Sequence, residues 1–405
     1  MSSLTAAVHR YAASLDDRVA AVVRDAAARV PAFAGRLRAA GLLAESVCSV
    51  RDLDALPVLT KDDVLALQRA APPFGGLLAP GAPVRRVFQS PGPLYEPQLA
   101  GADPWRWSEA LAAAGFDTGD VVLNCFGYHL SPAGAMFEQA ALARGCQVVP
   151  AGVGNLDLQA QAAADLGVTA YTGLPSYLKA LHDRYVEAGL AAERWRLGKA
   201  LVTAEPLPDS LRALLAEHVP VVRMAYGTAE TGLLGYEREP GAGLVIPDGV
   251  LVQICDLDTG VPLDEGEGQV VVTLLRADYP LVRFGTGDLS AWLPPGPDGR
   301  LRLAGVLGRV GAAIKVRGMF LHPRQVEAVM RGAAGVAAYR FVVDRVEHRD
   351  RLRCEVVLAP GADAPTATDE VRSRVRSGLR FDVEATAVEA LPDDGPVIVD
   401  ARDWS

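Results

Sequence analysis

Alternating strands and helices between residues 120 and 226 place the strongest constraint on the fold of this chain. Short apolar runs alternate there with longer segments whose apolar residues recur at helical spacing. The predicted strands cover residues 121–126, 147–150, 169–172, 200–203 and 221–226, and the predicted helices cover residues 132–144, 158–166, 175–187 and 207–218. A helix between successive strands favours parallel pairing with right-handed crossovers. The sequence therefore predicts an α/β fold built on parallel strands.

The segments before and after this region have different residue patterns. Residues 1–70 are predicted to be mostly helical, whereas residues 236–304 contain short β runs separated by turn residues and predict an antiparallel β subdomain. Glycines at 305–311 suggest a hinge, after which the chain has the pattern of a small α+β domain. We therefore expect a large N-terminal domain, 1–307, and a small, mobile C-terminal domain, 308–405.

Charge and cysteine content exclude several classes of protein. The net charge of -9 argues against a nucleic acid or an acidic membrane surface as partner. The five cysteines are scattered without a close pair, so neither a zinc site nor a disulfide framework is predicted. No signal-peptide pattern and no apolar run long enough for a membrane helix are found. We expect a soluble, cytoplasmic protein with no membrane partner.

The stretch AYGTAETG at residues 225–232 directly follows the last predicted strand, and its two glycines predict a loop. Open α/β sheets bind ligands at such strand ends. The ring of Tyr226 is suited to stacking on a planar base, the hydroxyl of Thr228 to binding a phosphate, and the carboxylate of Glu230 to holding a hard cation. An ordinary surface turn is the alternative interpretation of these residues.

Five stretches, in this order, resemble the phenylacetate–CoA ligase family of the adenylate-forming acyl-CoA synthetases. They are TAEP at 203–206, YGTAE at 226–230, YPLVRFGTGD at 279–288, GR at 308–309 with KVRG at 315–318, and LPDDG at 391–395. The resemblance spans the chain from about residue 56 onward. It implies the adenylate-forming enzyme fold and an AMP-forming ligase that activates an aromatic or small organic acid as an acyl-adenylate and transfers it to CoA. ATP or AMP, Mg²⁺ and CoA are the implied cofactors, and a homodimer is the implied assembly.

The resemblance also implies roles for individual residues. The nucleotide-binding set is Ser90, Gly92, Ala204, Glu205, Pro206, Tyr226, Gly227, Thr228, Asp288 and Arg309. Within it, Tyr226 would stack on adenine, Thr228 would contact the α-phosphate, and Asp288 would accept both ribose hydroxyls. Glu230 would bind Mg²⁺ and is the principal catalytic candidate.

Two further sets of residues follow from the same resemblance. The implied acyl pocket contains Phe126, Tyr128, His129, Ala133 and Gly134, and the implied CoA channel contains Lys315, Arg317 and Gly318. His129 is either a catalytic base or polar pocket lining, or else a structural histidine. Arg317 is either a channel residue or an ordinary charge at a strand edge.

The phosphate loop departs from the family pattern, which is rich in Ser, Thr and Gly and contains a lysine. The matching residues, 89–97, read QSPGPLYEP, within a Gly- and Pro-dense segment at 72–97 that is predicted to be a rigid loop. Its prolines lack backbone donors and Glu96 adds a negative charge. This loop is therefore expected to hold β- and γ-phosphates poorly.

A second departure concerns the C-terminal catalytic lysine of the family, whose position here is Pro396. No lysine follows Lys315, and loss of one such electrostatic partner typically costs ~10²–10³ in rate. The acidic hinge residue is also absent, since Gly311 and Ala312 stand there. The alternative function is therefore an adenylation-impaired homologue that performs a half-reaction or a different acyl-transfer or condensation step, or that is non-catalytic. A structural or interaction protein is a third interpretation.

Overall fold

The computed structural model of the chain describes residues 3–90, 93–310, 314–317, 319–321, 323–347, 349–392 and 396–402. The chain divides into two compact units. The first contains Met1–Leu207 and Arg212–Gly308, and the second contains Pro208–Leu211 and Arg309–Ser405. The described residues of each unit form a β-sheet and a buried apolar core.

The first unit begins with four helices. They are α1 (Ser3–Ala13), α2 (Asp16–Arg29), α3 (Pro31–Ala39) and α4 (Lys61–Ala70), with short 3-10 turns at Ala44–Ser46 and Arg51–Ala55. Val19, Val23 and Ala26 recur at helical spacing on α2, so they share one face. That face is buried in a cluster with Phe33 of α3, which joins the two helices.

The Gly- and Pro-dense segment at 72–97 is not a loop throughout, so that prediction was wrong. Two strands, β1 (Val84–Gln89) and β2 (Tyr95–Leu99), form an antiparallel hairpin in which Val87 pairs with Pro97. A proline is tolerated in β2 because the hairpin has only two strands, so the side of β2 away from β1 needs no backbone donor.

The predicted parallel strands are present and confirm the α/β fold. The strands are β3 (Val121–Asn124), β4 (Gln147–Val149), β5 (Ala170–Gly173), β6 (Lys199–Val202) and β7 (Val221–Thr228). The associated helices are α5 (Trp107–Ala113), α6 (Ala133–Ala143), α7 (Leu156–Asp165), α8 (Pro175–Glu187) and α9 (Asp209–Ala216), with a 3-10 turn at Ala192–Arg194. The strands pair in parallel in the order β4-β3-β5-β6-β7.

Strand β7 joins the parallel strands to an antiparallel set. The remaining strands of the path are β8 (Gly232–Tyr236), β9 (Leu244–Val245), β10 (Val250–Cys255), β11 (Glu267–Leu274), β12 (Phe284–Leu293) and β13 (Arg302–Leu303). The order continues β7-β8-β9-β13-β12-β11-β10, so the antiparallel strands extend the same hydrogen-bonded sheet. The first half of β7 pairs in parallel with β6, and its second half, Ala225 to Thr228, pairs antiparallel with β8.

This pairing corrects the loop predicted at 225–232. The strand continues through Tyr226, Gly227 and Thr228, and only the three residues before Gly232 form the turn. The sequence did not show this because the partner strand β8, rather than the local residue pattern, keeps the backbone extended there.

The second unit is a small α+β structure. Its elements are β15 (Ile314–Val316), β16 (Met319–Leu321), α10 (Pro323–Met330), β17 (Val336–Val346), β18 (Arg349–Leu358), α11 (Ala364–Leu379), β19 (Glu384–Val388) and β20 (Ile398–Asp400), preceded by β14 (Gly308–Arg309). Its main sheet has the order β19-β18-β17-β20, in which β17 and β18 are antiparallel and the outer strands are parallel to their neighbours. Phe341, Cys354 and Val371 belong to the apolar core of this unit.

Among the helices of the described residues, none combines the length and the apolar character that crossing a bilayer would need.

Two histidines stack on each other in the first unit, between α8 and the segment after α9. The rings of His182 and His218 lie 3.8 Å apart with 17° between their planes. The indole of Trp195 donates to the His218 carbonyl at 3.0 Å and its ring packs edge-on against His182. Burial and the neighbouring His218 lower the pKa of His182, Asp183 opposes this, and Lys179 adds to it.

We expect the contribution of His182 to the stability of the first unit to be lost as the pH falls from about 7.5 to about 5.5. The folded pKa of His182 is below its unfolded value of about 6.5, so the unfolded chain binds more protons in this range. The stabilising contribution of His182 is therefore complete at pH values above its pKa in the unfolded chain. It is lost as the pH falls toward its lower pKa in the folded protein. The difference in urea unfolding midpoint between the wild type and a His182 variant, determined at both pH values, measures this contribution.

His182→Gln should remove this contribution, so its pH dependence should differ from that of the wild type, whereas His129→Gln should retain the contribution. The His129 imidazole is exposed and makes no hydrogen bond among the described residues, which makes it a matched control. An unaltered pH dependence in His182→Gln would contradict the assignment to the stacked pair.

Candidate active site

The carboxyl ends of the parallel strands bring several candidate residues to one edge of the sheet. Asn124 ends β3, Ala204 follows β6, and Tyr226 lies near the end of β7. Strands β3, β5, β6 and β7 are consecutive neighbours, so their ends are adjacent. This edge is where open α/β sheets bind ligands.

Glu230 lies in the turn between β7 and β8 and forms an ion pair with Lys61 at the start of α4. The Lys61 Nζ atom is 2.6 Å from Glu230 Oε1, and only 6% of the Glu230 side chain is exposed. Oε2 of Glu230 is buried and has no hydrogen-bond partner in the described part of the chain. One carboxylate oxygen is therefore paired with a cation, and the other remains unsatisfied.

The position of Lys61 is fixed by the residues just before it. Thr60 and Asp63 form a reciprocal capping box, which defines where α4 begins. Leu59 forms a parallel bridge with Phe284 at the start of β12. Its backbone N–H donates to the carbonyl of Arg283, just before β12, and its carbonyl accepts from the N–H of Gly285. Lys61 is therefore held beside the sheet by backbone contacts and does not depend on its own side chain for placement.

Glu96 is a second buried carboxylate in this region. It lies in β2 with 5% of its surface exposed, and neither carboxylate oxygen has a partner in hydrogen-bonding geometry among the described residues. Burial and the charge of Glu230 raise the pKa of Glu96 to about 8, and the smaller effects of Ser90 and Lys61 oppose this rise. Glu96 therefore lies within electrostatic reach of both members of the ion pair.

The two carboxyl groups have opposite pKa shifts. Burial by itself raises the pKa of Glu230, but the charge and hydrogen bond of Lys61, with help from the Thr228 hydroxyl, hold it below its usual value. Lys61 thus stabilises the ionised form of Glu230. Glu96 has no comparable partner.

Helix α4 also holds the strand that carries Glu96. Gln68 donates from Nε2 to the Tyr95 carbonyl at 2.7 Å and accepts from the Tyr95 backbone N–H at 2.8 Å. Gln68 lies two helical turns after Lys61, so both side chains extend from one face of α4. A single helix therefore fixes Glu230 through Lys61, and β2 through Gln68.

Tyr226 and Asp288 come together from motifs that are far apart in sequence. The Tyr226 hydroxyl donates to Asp288 Oδ2 at 2.8 Å and lies 3.3 Å from Thr286 Oγ1. Asp288 is buried, and its backbone N–H donates to Thr286 Oγ1 at 3.1 Å. Thr228 contacts Thr231 across the turn, with 2.8 Å between their hydroxyl oxygens. The structure thus joins the 226–230 and 279–288 motifs.

Gly227 is required by close packing. A Cβ at this position would lie 2.4 Å from the Gly232 carbonyl oxygen and 2.8 Å from Cζ2 of Trp107. The Trp107 ring in turn packs against Phe137, with ring centroids 4.3 Å apart. The β7–β8 hairpin is therefore in direct contact with an aromatic cluster.

The predicted adenine-bordering residues follow β6. Ala204 adopts a left-handed backbone conformation with φ of 72°, Glu205 is buried, and Pro206 is exposed. The Ser176 hydroxyl, in the first turn of α8, donates to Glu205 Oε2 at 2.6 Å. Ser176 therefore fixes the orientation of the Glu205 carboxylate.

The predicted acyl-pocket residues are organised by Asn124, which is fully buried. Its amide nitrogen donates to the Tyr128 hydroxyl at 2.7 Å and to the Gly134 carbonyl at 2.8 Å. Its amide oxygen accepts from the Thr172 hydroxyl at 3.0 Å. Burial is the main reason that the pKa of Tyr128 is raised above its usual value.

Two stacked aromatic rings and the first turn of α6 also belong to the predicted acyl-pocket region. The rings of Phe126 and Phe137 stack with centroids 4.4 Å apart. Ala133 begins α6, and a Cβ on Gly134 would lie 2.8 Å from the Gly127 carbonyl oxygen and from the Tyr128 ring. The structure brings these residues together, and it leaves the His129 side chain exposed.

The remaining candidates belong to the second unit or lie outside the described residues. In the second unit, Arg317 has φ of 47° and donates from Nε to the Asp350 carbonyl at 2.9 Å. Arg309 lies in β14, and Pro396 precedes β20. Outside the description are Gly92, Gly311, Ala312, Gly318, the 393–395 part of the last motif and the side chain of Lys315.

Sequence reasoning missed Lys61, Gln68, Asn124 and Ser176, each of which holds a motif residue or its strand. One signal could have identified Lys61. A cation in the first turn of a helix is unfavourable because it opposes the macrodipole. A lysine at such a position, in a chain with only four lysines, therefore indicates a tertiary contact that requires the charge. The other three have no comparable local signal.

Curated relatives match most of the chain. It is 30% identical over 356 residues to the phenylacetate-coenzyme A ligase of Aromatoleum evansii, covering 84% of this chain and 80% of the relative. It is 29% identical over 369 residues to the enzyme of the same name from Thermus thermophilus, covering 85% and 80%. It is 26% identical over 397 residues to that of Escherichia coli K12, covering 94% and 90%. No protein-family model matches the sequence.

Solved structures share the fold. A 2-hydroxyisobutyryl-CoA ligase in complex with 2-HIB-AMP and CoA, in the thioesterification state, matches with a TM-score of 0.86 and 22% identity, covering 98% of this chain and 91% of that one. An amide bond synthetase from Marinactinospora thermotolerans matches with a TM-score of 0.56 and 21% identity, covering 76% and 65%. These likenesses confirm the predicted fold class.

We expect Lys61→Met to lower the free energy of unfolding by about 2 kcal/mol, because the Glu230 carboxylate would stay buried without its cation. Glu230→Gln should cost less, since the partly exposed Lys61 ammonium can turn to water. The Lys61→Met/Glu230→Gln double variant should lose less free energy of unfolding than the two single variants lose together. Urea unfolding at neutral pH measures all three variants.

Lys179→Met is the matched control for Lys61→Met. Lys179 pairs with Asp183 one turn along α8, and the more exposed position of this pair predicts a loss of at most about 0.5 kcal/mol. Equal losses in the two lysine variants would contradict a special role for the Lys61–Glu230 pair.

Proposed function

This chain belongs to the phenylacetate-coenzyme A ligase family, and on this premise we propose that it is an AMP-forming ligase for a small carboxylic acid. In the first step, an acid oxygen would attack the α-phosphorus of ATP, and the bond to pyrophosphate would break. In the second step, the CoA thiolate would attack the acyl carbon, and the bond to AMP would break. The principal supporting observation is the 2.8 Å hydrogen bond from Tyr226 to Asp288, which joins two nucleotide motifs in one site.

The nucleotide would be held by side chains at the carboxyl edge of the sheet. Asp288 would accept the ribose hydroxyls, Tyr226 would flank the base, and Thr228 would contact the α-phosphate. Ser90, Ala204, Glu205, Pro206 and Gly227 complete the described part of the proposed set in the first unit, and the resemblance also assigns Arg309 of the second unit to this set. Glu230 fits a magnesium site because its buried Oε2 lacks a partner among the described residues and is a hard oxygen ligand. Bound Mg²⁺ would supply positive charge to the phosphates.

The acyl pocket is proposed to take an aromatic acid. The stacked rings of Phe126 and Phe137 and the neighbouring Trp107 belong to one buried apolar cluster, and this aromatic character favours an aromatic acid. Asn124 holds Tyr128 and the start of α6 beside this cluster through its two donated hydrogen bonds.

The assembly, domain and compartment assignments are also proposals. We propose a cytoplasmic homodimer in which residues 308–405 form a mobile domain that handles CoA through Lys315, Arg317 and Gly318. The family membership supports this organisation. The large sheet, whose antiparallel strands continue its parallel strands, supports a large N-terminal domain, 1–307, with the β subdomain at 236–304. The separate four-stranded sheet supports the small domain.

The ligase proposal is tested with ATP, Mg²⁺, CoA and a panel of aromatic and small aliphatic acids. We expect AMP and an acyl-CoA thioester to form, with an aromatic acid preferred. Asp288→Asn should reduce turnover at least ~10-fold because one ribose hydrogen bond would lose its charged acceptor. Asp165→Asn, an exposed residue paired with Arg194, should match the wild type. Absence of AMP and thioester across the panel would reject the proposal.

A second candidate function is favoured by Pro396, which occupies the position of the family's catalytic lysine, and by Glu96, which adds a negative charge to a phosphate loop that has no lysine. The chain would then bind an acyl-adenylate or nucleotide and perform a half-reaction or a different acyl-transfer step, or have no catalytic role. Pro396→Lys should raise the rate of acid-dependent pyrophosphate exchange by ~10²–10³ if wild-type adenylation is impaired in this way.

Pro392→Lys is the matched control, because it adds the same charge to the same segment at a different position. Wild-type pyrophosphate exchange at the rate of an ordinary ligase would reject the second candidate. A similar gain in both lysine variants would indicate a general charge effect.

A further inference from the structure

We infer that Glu96 and Glu230 together form a divalent-cation site, in which Glu96 supplies a carboxylate that the nucleotide motifs do not include. The cation class is Mg²⁺ or Mn²⁺. The inference deepens the proposed function and rests on it only for the phosphate ligand of the bound cation. The cation site itself depends on the two side chains alone.

The strongest evidence is the set of unsatisfied oxygens. Glu96 is 5% exposed, and both of its carboxylate oxygens lack a hydrogen-bond partner among the described residues, as does Oε2 of Glu230. Buried carboxylates without partners are costly, and proteins ordinarily pair such groups or bind a metal with them. Three buried oxygens therefore remain available on two side chains that interact electrostatically.

Lys61 does not satisfy this need. Its ammonium lies 2.6 Å from Oε1 of Glu230, the oxygen that the proposed cation would leave unused. Lys61 also attracts Glu96 electrostatically, but neither Glu96 oxygen accepts a hydrogen bond from any residue that the structure describes. Cation binding would displace the proton of Glu96, and the two ionised carboxylates with Lys61 would then carry one net negative charge, which the divalent cation would convert to one net positive charge.

The chemistry of the side chains selects the kind of cation. Mg²⁺ is commonly bound by one or two carboxylates, with water and substrate phosphates completing its octahedral shell. No group of three or more His, Cys, Asp or Glu side chains suited to holding a metal occurs among the described residues, which disfavours a closed structural zinc site. Two carboxylates with open remaining positions fit a hard cation that also binds phosphate.

The supporting elements hold both carboxylates in place without the cation. Gln68 fixes the backbone of Tyr95, the residue before Glu96, and Lys61 fixes Glu230. The turn of Glu230 is further held by the 2.8 Å contact between Thr228 and Thr231. Pre-positioned ligands reduce the entropy lost on binding, so two carboxylates held on rigid elements form a pre-organised site.

This site gives the acidic phosphate loop a chemical purpose. A lysine in that loop would contact phosphate directly, whereas Glu96 would contact it through a shared cation. The negative charge that was expected to repel β- and γ-phosphates would then become part of the phosphate-binding apparatus. Phosphate binding by this chain should accordingly depend more strongly on the cation than phosphate binding by a related protein whose loop contains a lysine.

The test measures Mn²⁺ binding to the full chain by electron paramagnetic resonance and calorimetry, without nucleotide, acid or CoA. We expect one site in the wild type, with affinity reduced ~10–100-fold in Glu96→Gln and in Glu230→Gln. Glu96→Asp should retain more affinity than Glu96→Gln because it keeps the carboxylate. Glu109→Gln, which alters a half-buried carboxylate on α5, should bind as the wild type does.

Several outcomes would overturn the inference. These are no Mn²⁺ site in the wild type, or equal affinity in the wild type and Glu96→Gln, with circular dichroism showing that the variant is folded. Failure of the ligase assay with an intact Glu96-dependent Mn²⁺ site would reject the proposed function and leave the cation site standing. The two results are therefore distinguishable.

Discussion

The ion pair between Lys61 and Glu230 is the interaction on which the candidate site depends. It joins the first helix turn of α4 to the turn that ends β7, although the two residues are far apart in sequence. A lysine at a helix start is locally unfavourable, so tertiary structure overrides the local preference here. The capping box of Thr60 and the bridge of Leu59 to β12 maintain the helix start in spite of that charge.

Much of the fold could be predicted because its signals are local. Helix α8 matches its predicted bounds, since a proline marks its start and its apolar spacing is regular. The β1–β2 hairpin and the continuation of β7 through Thr228 were missed, because both depend on pairing with a partner strand. For the same reason the sequence indicated an antiparallel β subdomain without showing that it continues the parallel sheet.

In the candidate site, too, features with a local sequence signal could be predicted and those that depend on distant contacts could not. Motif residues such as Tyr226 and Asp288 could be named in advance because the resemblance covers whole motifs, and the structure joins these two by a hydrogen bond. Residues that hold the motifs in place could not, since Asn124 and Ser176 act through contacts with distant segments. The burial of Glu96 was also hidden, because a charged residue in a Pro-rich segment is expected on the surface.

The packing of Gly227 against Trp107 has a consequence for how this protein can evolve. Trp107 packs closely against Gly227 on one side and, through Phe137, against Phe126, a residue of the proposed acyl pocket, on the other. A smaller residue at Trp107 would enlarge the proposed acyl pocket and would also remove packing against the β7–β8 hairpin. Under the proposed function, changes of acid preference would therefore be easier to acquire at positions that do not contact both segments.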